Sequence, residues 1–376
     1  MASPFRPLVL ARDRLAVWSS PHASAYTDAL MEIFPAHLVH HWRSIVLQSV
    51  SEETRKNYGA GLIRFAQFCD RYCVPEQLRM PASEALLSLF VAEMGAGKVH
   101  LGTVESWLAA LALWHEVNGA QWKGGRILSR TKKGVANVSS QLLHRRPPRN
   151  PVSYPHMVAL RRHLDLSNTF DSAVWAVACS AWRGCCRLGE LVPISDSSFH
   201  PRRNMCRGTG MKAGTTPGGS EWISLFAPFT KTKGFDGEWL NFTASADNIN
   251  VVTALRNHWT VNAGIPPNAP MFAFETTSGW SSLTKDAFLG RCQEIWDSVG
   301  LGSILGHGFR IGGTTFLLLQ GTEPWVVMQQ GRWSSKAFLR YWRNVEEILP
   351  IFIGDRTSDY STLAKSIGES IHRMGA

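Results

Sequence analysis

A proline-rich segment inside the chain, HRRPPRNPVSYPH at 144–156, most constrains the possible folds. Its four prolines lack the backbone N–H that a helix requires, so no helix can run through it. The chain has 376 residues, which suits two ordinary domains better than one. We therefore predict a linker at 144–156 between two domains, with three arginines that are free to meet phosphates.

The residues before the linker predict a small, all-helical domain at 49–143. Ser51 is a candidate N-cap, and the apolar residues that follow it recur at helical spacing. The last helical stretch of this domain is basic and includes Lys132 and Lys133. Residues 1–48 predict an N-terminal arm or a single helix.

The residues after the linker predict a second, mixed α/β domain at 157–349. Most of its apolar patterns are helical, but WISLFAPF (222–229) and GEWLNFTA (237–244) alternate as strands around a turn. The remaining residues, 350–376, form a tail with scattered apolar positions. The fold class predicted is mainly α with a small β-hairpin or sheet.

Composition points to an intracellular protein with a polyanionic partner. The formal net charge is +10 and the pI is about 9.5, a balance that favours nucleic acid. No apolar run is long enough for a membrane span, so no membrane role is expected. The seven cysteines contain no CxxC pair. His37, His40 and His41 have nearly the spacing of metal ligands, but no second cluster completes a zinc site, so neither a metal nor another cofactor is predicted.

Cleavage of a DNA phosphodiester without a metal ion requires a particular set of side chains. Two arginines can hold the non-bridging oxygens with planar, permanently charged forks. A lysine on a hairpin can protonate the leaving 5′-oxygen, and a tyrosine can attack the phosphorus and form a covalent ester. Such preorganised cations replace the charge that Mg²⁺ supplies elsewhere.

The sequence contains these residue types in four separate boxes. In chain order they are Arg187 and Glu190 in RLGEL, Lys231 and Lys233 in TKTK, His307 and Arg310 in HGFR, and Trp333 and Tyr341 in GRWSSKAFLRYWR. Each residue alone has a simpler explanation, such as a surface arginine or a packed aromatic. All of them in one order are much rarer by chance.

This order resembles the tyrosine recombinase, or phage-integrase-like, family. HGFRIGGTT and GRWSSKAFLRYWR are most similar to the crypton and DIRS types, recombinases of eukaryotic mobile elements found in fungi. The resemblance covers roughly 150–345 and extends more weakly to 51–143. It implies a two-domain architecture, with a helical core-binding domain followed by a mixed α/β catalytic domain, which together clamp a duplex from opposite faces.

The resemblance also implies a role for each box. Arg187 is the first arginine with Glu190 as its supporting carboxylate, and His307 with Arg310 form the second box. Lys231 is the hairpin lysine, with Lys233 as the alternative, and Tyr341 is the nucleophile.

One position departs from the family pattern. The family usually has His or Trp nine residues before the tyrosine, whereas here Arg332 is nine residues before Tyr341 and Trp333 is eight. We prefer Trp333, because an indole N–H can donate to a phosphate oxygen. The residues then predicted to bind DNA by charge are Lys132, Lys133, Arg145, Arg146 and Arg332.

The implied activity is site-specific recombination through a 3′-phosphotyrosyl intermediate, for integration or excision of a mobile element. The expected partner is double-stranded DNA, bound by a homotetramer on two sites in the nucleus, with 350–376 as an element exchanged between protomers. A type IB topoisomerase and a domesticated, non-catalytic DNA-binding protein remain possible from the sequence.

Overall fold

The structure, a computed structural model, describes residues 3–143, 149–335, 338–339 and 345–353. The chain divides into two compact units, Met1–Pro147 and Pro148–Ala376. Their boundary lies within the proline-rich segment.

The first unit is helical. Its helices are α1 (Arg14–Val17), α2 (Pro21–Ile33), α3 (Ala36–Leu47), α4 (Glu52–Arg71), α5 (Glu76–Arg79), α6 (Glu84–Gly95), α7 (Leu101–Val117) and α8 (Arg126–Leu142). Ser51 caps α4, as predicted, by accepting a hydrogen bond from the N–H of Thr54. The core forms where α4, α6 and α7 meet, and Phe65 and Phe90 pack edge to face there with centroids 5.4 Å apart.

The first 48 residues differ from the single helix or arm expected. The chain leaves the helical conformation at Phe34, because Pro35 lacks an N–H and disfavours a helical residue before it. Leu15 and Trp18 are buried in the core of the first unit. This segment therefore packs as part of the unit, a long-range contact that its local sequence pattern does not indicate.

The second unit combines helices with two small sheets. Its elements are α9 (Tyr154–His163), α10 (Thr169–Arg183), α11 (Leu188–Leu191), β1 (Met211–Thr215), β2 (Glu221–Ala227), β3 (Glu238–Thr243), α12 (Val251–Val261), β4 (Phe274–Thr276), β5 (Gly279–Ser281), α13 (Lys285–Ser298), α14 (His307–Leu319), α15 (Pro324–Gln330) and α16 (Val345–Ile353). Nowhere in the described part of the chain is a helix both long and apolar enough to cross a membrane.

The main sheet is antiparallel with β2 between β1 and β3. The predicted hairpin is confirmed: Ile223 pairs with Phe242, and Leu225 pairs with Leu240, so alternate side chains enter the core. The strands β1, β4 and β5 were not predicted. Each is short, and β1 is exposed along most of its length, so none of the three shows an alternating apolar pattern.

The helix α10 lies at the centre of the second unit and is buried from Asp171 to Trp182. The helix α14 approaches it so closely that a Cβ at Gly313 would lie 1.8 Å from the carbonyl oxygen of Trp182. The helix α10 ends at Arg183, where the chain turns. The backbone of Cys185 is left-handed, with φ 46°. This turn brings the end of α10 beside the start of α14.

The second half of the predicted linker belongs to the second unit. Val152 is fully buried, and its carbonyl oxygen accepts a hydrogen bond of 2.8 Å from the indole N–H of Trp182. The described residues 149–153 form no helix or strand, but α9 already begins at Tyr154, inside the predicted linker, because a proline is tolerated in the first turn of a helix.

Candidate active site

The second arginine of the predicted set, Arg310, is fully buried in the first turn of α14. Its guanidinium donates to the carbonyl oxygens of Cys185, at 2.7 Å, and of Gly331. The guanidinium carbon lies 4.1 Å from the centroid of a Trp333 ring, a cation–π contact. Backbone carbonyls and an aromatic face therefore hold Arg310 in one orientation.

The first arginine, Arg187, is held by a carboxylate. It precedes α11, and its side chain is 28% exposed and donates to Glu190 Oε1 at 2.8 Å. Its main-chain N–H donates to Glu190 Oε2 at 2.9 Å. Glu190 thus caps its own helix and orients Arg187 at the same time.

A third arginine, Arg332, forms an arginine cluster together with Arg187 and Arg310. The Nη2 atom of Arg332 donates to Glu190 Oε2 at 2.7 Å, and both side chains are almost fully buried. Burial opposes the ionisation of Glu190, but the charges of Arg332 and Arg187 outweigh it and hold the pKa of this carboxyl below its ordinary value. Glu190 is therefore an ionised carboxylate shared by two guanidinium groups.

The cluster carries more positive than negative charge. Arg187 lies near enough to Arg310 that its charge adds to the effect of burial, and the pKa of Arg310 is lowered. A second carboxylate, Glu238 at the start of β3, lies 3.8 Å from Arg332 Nε. The Nε atom of Arg310 is buried and makes no hydrogen bond. Like charges held together at a site of low dielectric favour an anionic ligand.

The predicted lysines lie at the exposed tip of the β2–β3 hairpin. Paired backbone hydrogen bonds between Thr230 and Gly234 close this tip, and both Lys231 and Lys233 are exposed on it. The other end of the loop leads into Glu238, beside Arg332. The hairpin is therefore anchored to the arginine cluster at its base, and its geometry does not choose between the two lysines.

His307 is the first residue of α14, one turn before Arg310, and it is half-buried. Residues three apart lie on the same side of a helix, so His307 and Arg310 share a face of α14.

Trp333 packs within a small apolar cluster, and its ring lies 5.3 Å from that of Phe338. Gly331 makes this position possible, because a Cβ there would lie 1.6 Å from the Trp333 ring. The indole therefore lies between this apolar cluster and the guanidinium of Arg310.

The remaining predicted residues are placed as follows. Lys133 is exposed and Lys132 half-buried on α8 of the first unit. Tyr341, Arg145 and Arg146 lie outside the described residues. Among the residues that the structure describes, no group of three His, Cys, Asp or Glu side chains could hold a metal ion.

Two features of the site were missed by sequence reasoning. Nothing near Glu238 in the sequence connects it with Arg332, because the two meet only through the sheet. The pairing of Arg332 with Glu190 had one signal, the arginine nine residues before Tyr341, and that spacing was interpreted as a choice between two phosphate-binding residues.

Comparison with known proteins supports the fold. The chain resembles the XerH site-specific recombinase in its post-cleavage complex with palindromic difH substrate. The two share 13% identity over 98% of this chain and 100% of that chain, with a TM-score of 0.53. The same recombinase in its pre-cleavage difH complex matches with 13% identity over 94% and 99% of the two chains, TM-score 0.49. The Tn1549 transposon integrase in complex with transposon right end DNA matches with 12% identity over 95% and 100%, TM-score 0.47.

No family model and no curated protein matches this sequence. The first of these likenesses, which spans nearly the whole of both chains, shows that this chain has the tyrosine recombinase fold. The predicted fold class, mainly α with a small sheet, is confirmed.

Proposed function

We propose that this protein is a DNA strand transferase of the tyrosine recombinase type. The observation that carries the proposal is the arginine cluster: Arg187 and Arg310 come from distant parts of the sequence and are held side by side despite their like charge. A phosphodiester bound at this cluster would supply the missing negative charge.

In the proposed reaction the two arginines bind the non-bridging oxygens of the scissile phosphate. Tyr341 gives up its phenolic proton to solvent, and its oxygen forms a bond to phosphorus while the bond from phosphorus to the 5′-oxygen breaks. Lys231, or Lys233, donates a proton to that leaving oxygen. A 5′-hydroxyl of a second strand then attacks the 3′-phosphotyrosyl bond and releases Tyr341, so the ester is conserved and no ATP is consumed.

The proposed partner is double-stranded DNA. The charge of +10 and the exposed cations of α8 support it, since phosphate neutralisation dominates such binding. A homotetramer on two sites, nuclear localisation and a mobile-element role belong to the same proposal, as does exchange of 350–376 between protomers. The crypton or DIRS subtype is supported by the HGFRIGGTT and GRWSSKAFLRYWR motifs alone.

A nicked suicide duplex, which loses the short strand next to the cut, tests the proposal. The full chain should form a covalent adduct that survives a denaturing gel, and Tyr341→Phe should bind the duplex without forming it. Peptide mapping that placed the DNA on Tyr360 would remove Tyr341 from the mechanism. DNA binding without any adduct would favour the domesticated, non-catalytic protein.

Two further measurements distinguish the proposed recombinase from a topoisomerase and from a metal-dependent nuclease. Relaxation of a supercoiled plasmid that contains no partner site would favour a topoisomerase. The adduct should also form in EDTA, because the arginines supply the positive charge that a metal provides elsewhere. An absolute requirement for Mg²⁺ in the cleavage step would contradict the proposed mechanism.

A further inference from the structure

We infer that Arg332 is a positioning residue, which fixes Arg187 through Glu190 and does not itself contact the scissile phosphate. The inference rests on the proposed function and deepens it, because it gives a different role to the position where the family usually has a phosphate-facing His or Trp.

The directions of the Arg332 nitrogens carry the inference. Nη2 donates to Glu190, while Nη1 donates to the carbonyl oxygens of Gln330 at 3.0 Å and Gly184 at 3.3 Å. Nε is buried, makes no hydrogen bond and lies 3.8 Å from Glu238 Oε2. The side chain is only 6% exposed. The charge of Arg332 is thus already paired with a carboxylate, whereas Arg310 donates only to neutral carbonyl oxygens, so Arg310 and not Arg332 keeps a charge that a phosphate can neutralise.

The backbone explains why two neighbouring side chains reach two different arginines. Arg332 has a left-handed φ of 57°, which is unfavourable for a residue with a Cβ and occurs where surrounding contacts enforce it. On one side of this turn Arg332 binds Glu190, the partner of Arg187. Immediately after it, Trp333 covers the guanidinium of Arg310. These two neighbouring residues therefore hold Arg187, through Glu190, and Arg310, through the Trp333 ring.

The charges around Glu190 define what Arg332 contributes. The groups that face this carboxylate are Arg187 beside α11, Arg332 after α15, Arg310 on α14 and the Cys186 thiol in the turn after α10. Glu238 on β3 faces Arg332 from the other side. Without Arg332, only one hydrogen-bonded arginine, Arg187, would oppose the effect of burial on the pKa of Glu190. Its pKa would rise, and a protonated carboxyl would hold Arg187 more weakly.

The first test is single-turnover cleavage of the suicide duplex at saturating DNA by Arg332→Met, which keeps much of the side-chain volume. We expect the rate constant to fall by roughly 100-fold at neutral pH, the effect of a small misplacement of a group that binds the reacting phosphate. The dissociation constant for DNA should stay within about twofold, because no phosphate contact is removed. Arg332→Lys should recover part of the rate, since a lysine can still pair with Glu190.

The pH profile separates positioning from simple stabilisation of the fold. In the wild type the pKa of Glu190 is low, so this group stays ionised in the range where cleavage is measured. In Arg332→Met the raised pKa should make the ratio of variant to wild-type rate fall further as the pH decreases. A ratio that is constant with pH would contradict the inference.

A double-mutant cycle tests the route through Glu190. Glu190→Gln should slow cleavage, and adding Arg332→Met should slow it no further, because the arginine would have lost the group through which it acts. Multiplicative effects, or a large loss of DNA affinity in Arg332→Met, would show that Arg332 contacts the phosphate directly.

Folding and the proposed function are controlled separately. Circular dichroism shows whether Arg332→Met folds, and if it does not, the double-mutant cycle is run with Arg332→Lys. Trp333→Phe is the control for a change at the neighbouring residue that leaves Glu190 paired with Arg332. A wild type without any adduct refutes the proposed function itself. A wild type that forms the adduct, together with an Arg332→Met variant of unchanged rate, refutes only this inference.

Discussion

The arginine cluster and the lysine hairpin tip are built in opposite ways, although both are proposed to act on one phosphate. Arg310 and Arg332 are buried and bound to backbone carbonyls, a carboxylate and an aromatic ring. Lys231 and Lys233 are exposed on a loop closed by hydrogen bonds between Thr230 and Gly234, and neither lysine is buried among fixed partners.

This difference follows from what each group has to do. Charges that stabilise a transition state work best when they are already oriented, and burial among fixed partners provides that orientation. A proton donor must instead reach its oxygen and exchange its proton with water, which an exposed, flexible lysine allows. The contrast predicts that changes in the cluster affect stability and cleavage together, whereas changes at the tip affect cleavage alone.

The largest effect is expected for Arg310→Ala. The cleavage rate should fall on the order of 1,000-fold, because a preorganised donor to the charged oxygens is lost. Two buried carbonyl oxygens also lose their donor, so the free energy of unfolding should fall by about 2 kcal/mol or more. Single-turnover kinetics and urea unfolding measure the two effects. A variant of normal stability would show that the buried contacts contribute less than the geometry suggests.

The next largest effect is expected for Lys231→Ala. Loss of the general acid should slow cleavage by roughly 100-fold or more, while the free energy of unfolding stays unchanged. Replacing the bridging 5′-oxygen by sulfur creates a leaving group that needs no proton, so this substrate should restore the rate. Lys233→Ala is the matched control, and rescue of that variant instead would transfer the role by two residues.

Changes at Trp333 should separate packing from hydrogen bonding. Trp333→Ala should lower the free energy of unfolding on the order of 3 kcal/mol, because a buried aromatic leaves a cavity beneath Arg310. Trp333→Phe keeps most of the packing and should lose only modest activity. A Phe variant as slow as the Ala variant would show that the indole N–H, not the ring face, is the important group.

The smallest effect is expected on α8 of the first unit. If the full chain makes six or more phosphate contacts, the log–log salt dependence of its binding should have a slope of about −5 or steeper. Lys133→Ala should reduce that slope by about 1 and leave the saturated cleavage rate unchanged. Lys132→Ala is the comparison, because that side chain is half-buried. A slope that does not change would remove α8 from the DNA-binding surface.

Local patterns in the sequence were sufficient to predict several secondary elements of both units. The prolines of 144–156 marked the boundary between the units, Ser51 marked the start of α4, and alternating residues marked β2 and β3. These features depend on nearby residues, through backbone chemistry and side-chain periodicity, so the sequence alone is enough to predict them. The fold class followed from the same patterns and from the order of the boxes.

Only the tertiary structure decided which partners the motif residues contact. The pairing of Arg332 with Glu190, and the stacking of Trp333 on Arg310, depend on a left-handed turn and on elements far apart in the chain. The same is true of Leu15 and Trp18, which lie in a core that no local pattern indicates. A side chain's partner across the fold is set by packing and by the energetic cost of burying a charge alone, and both depend on residues that no local window of sequence contains.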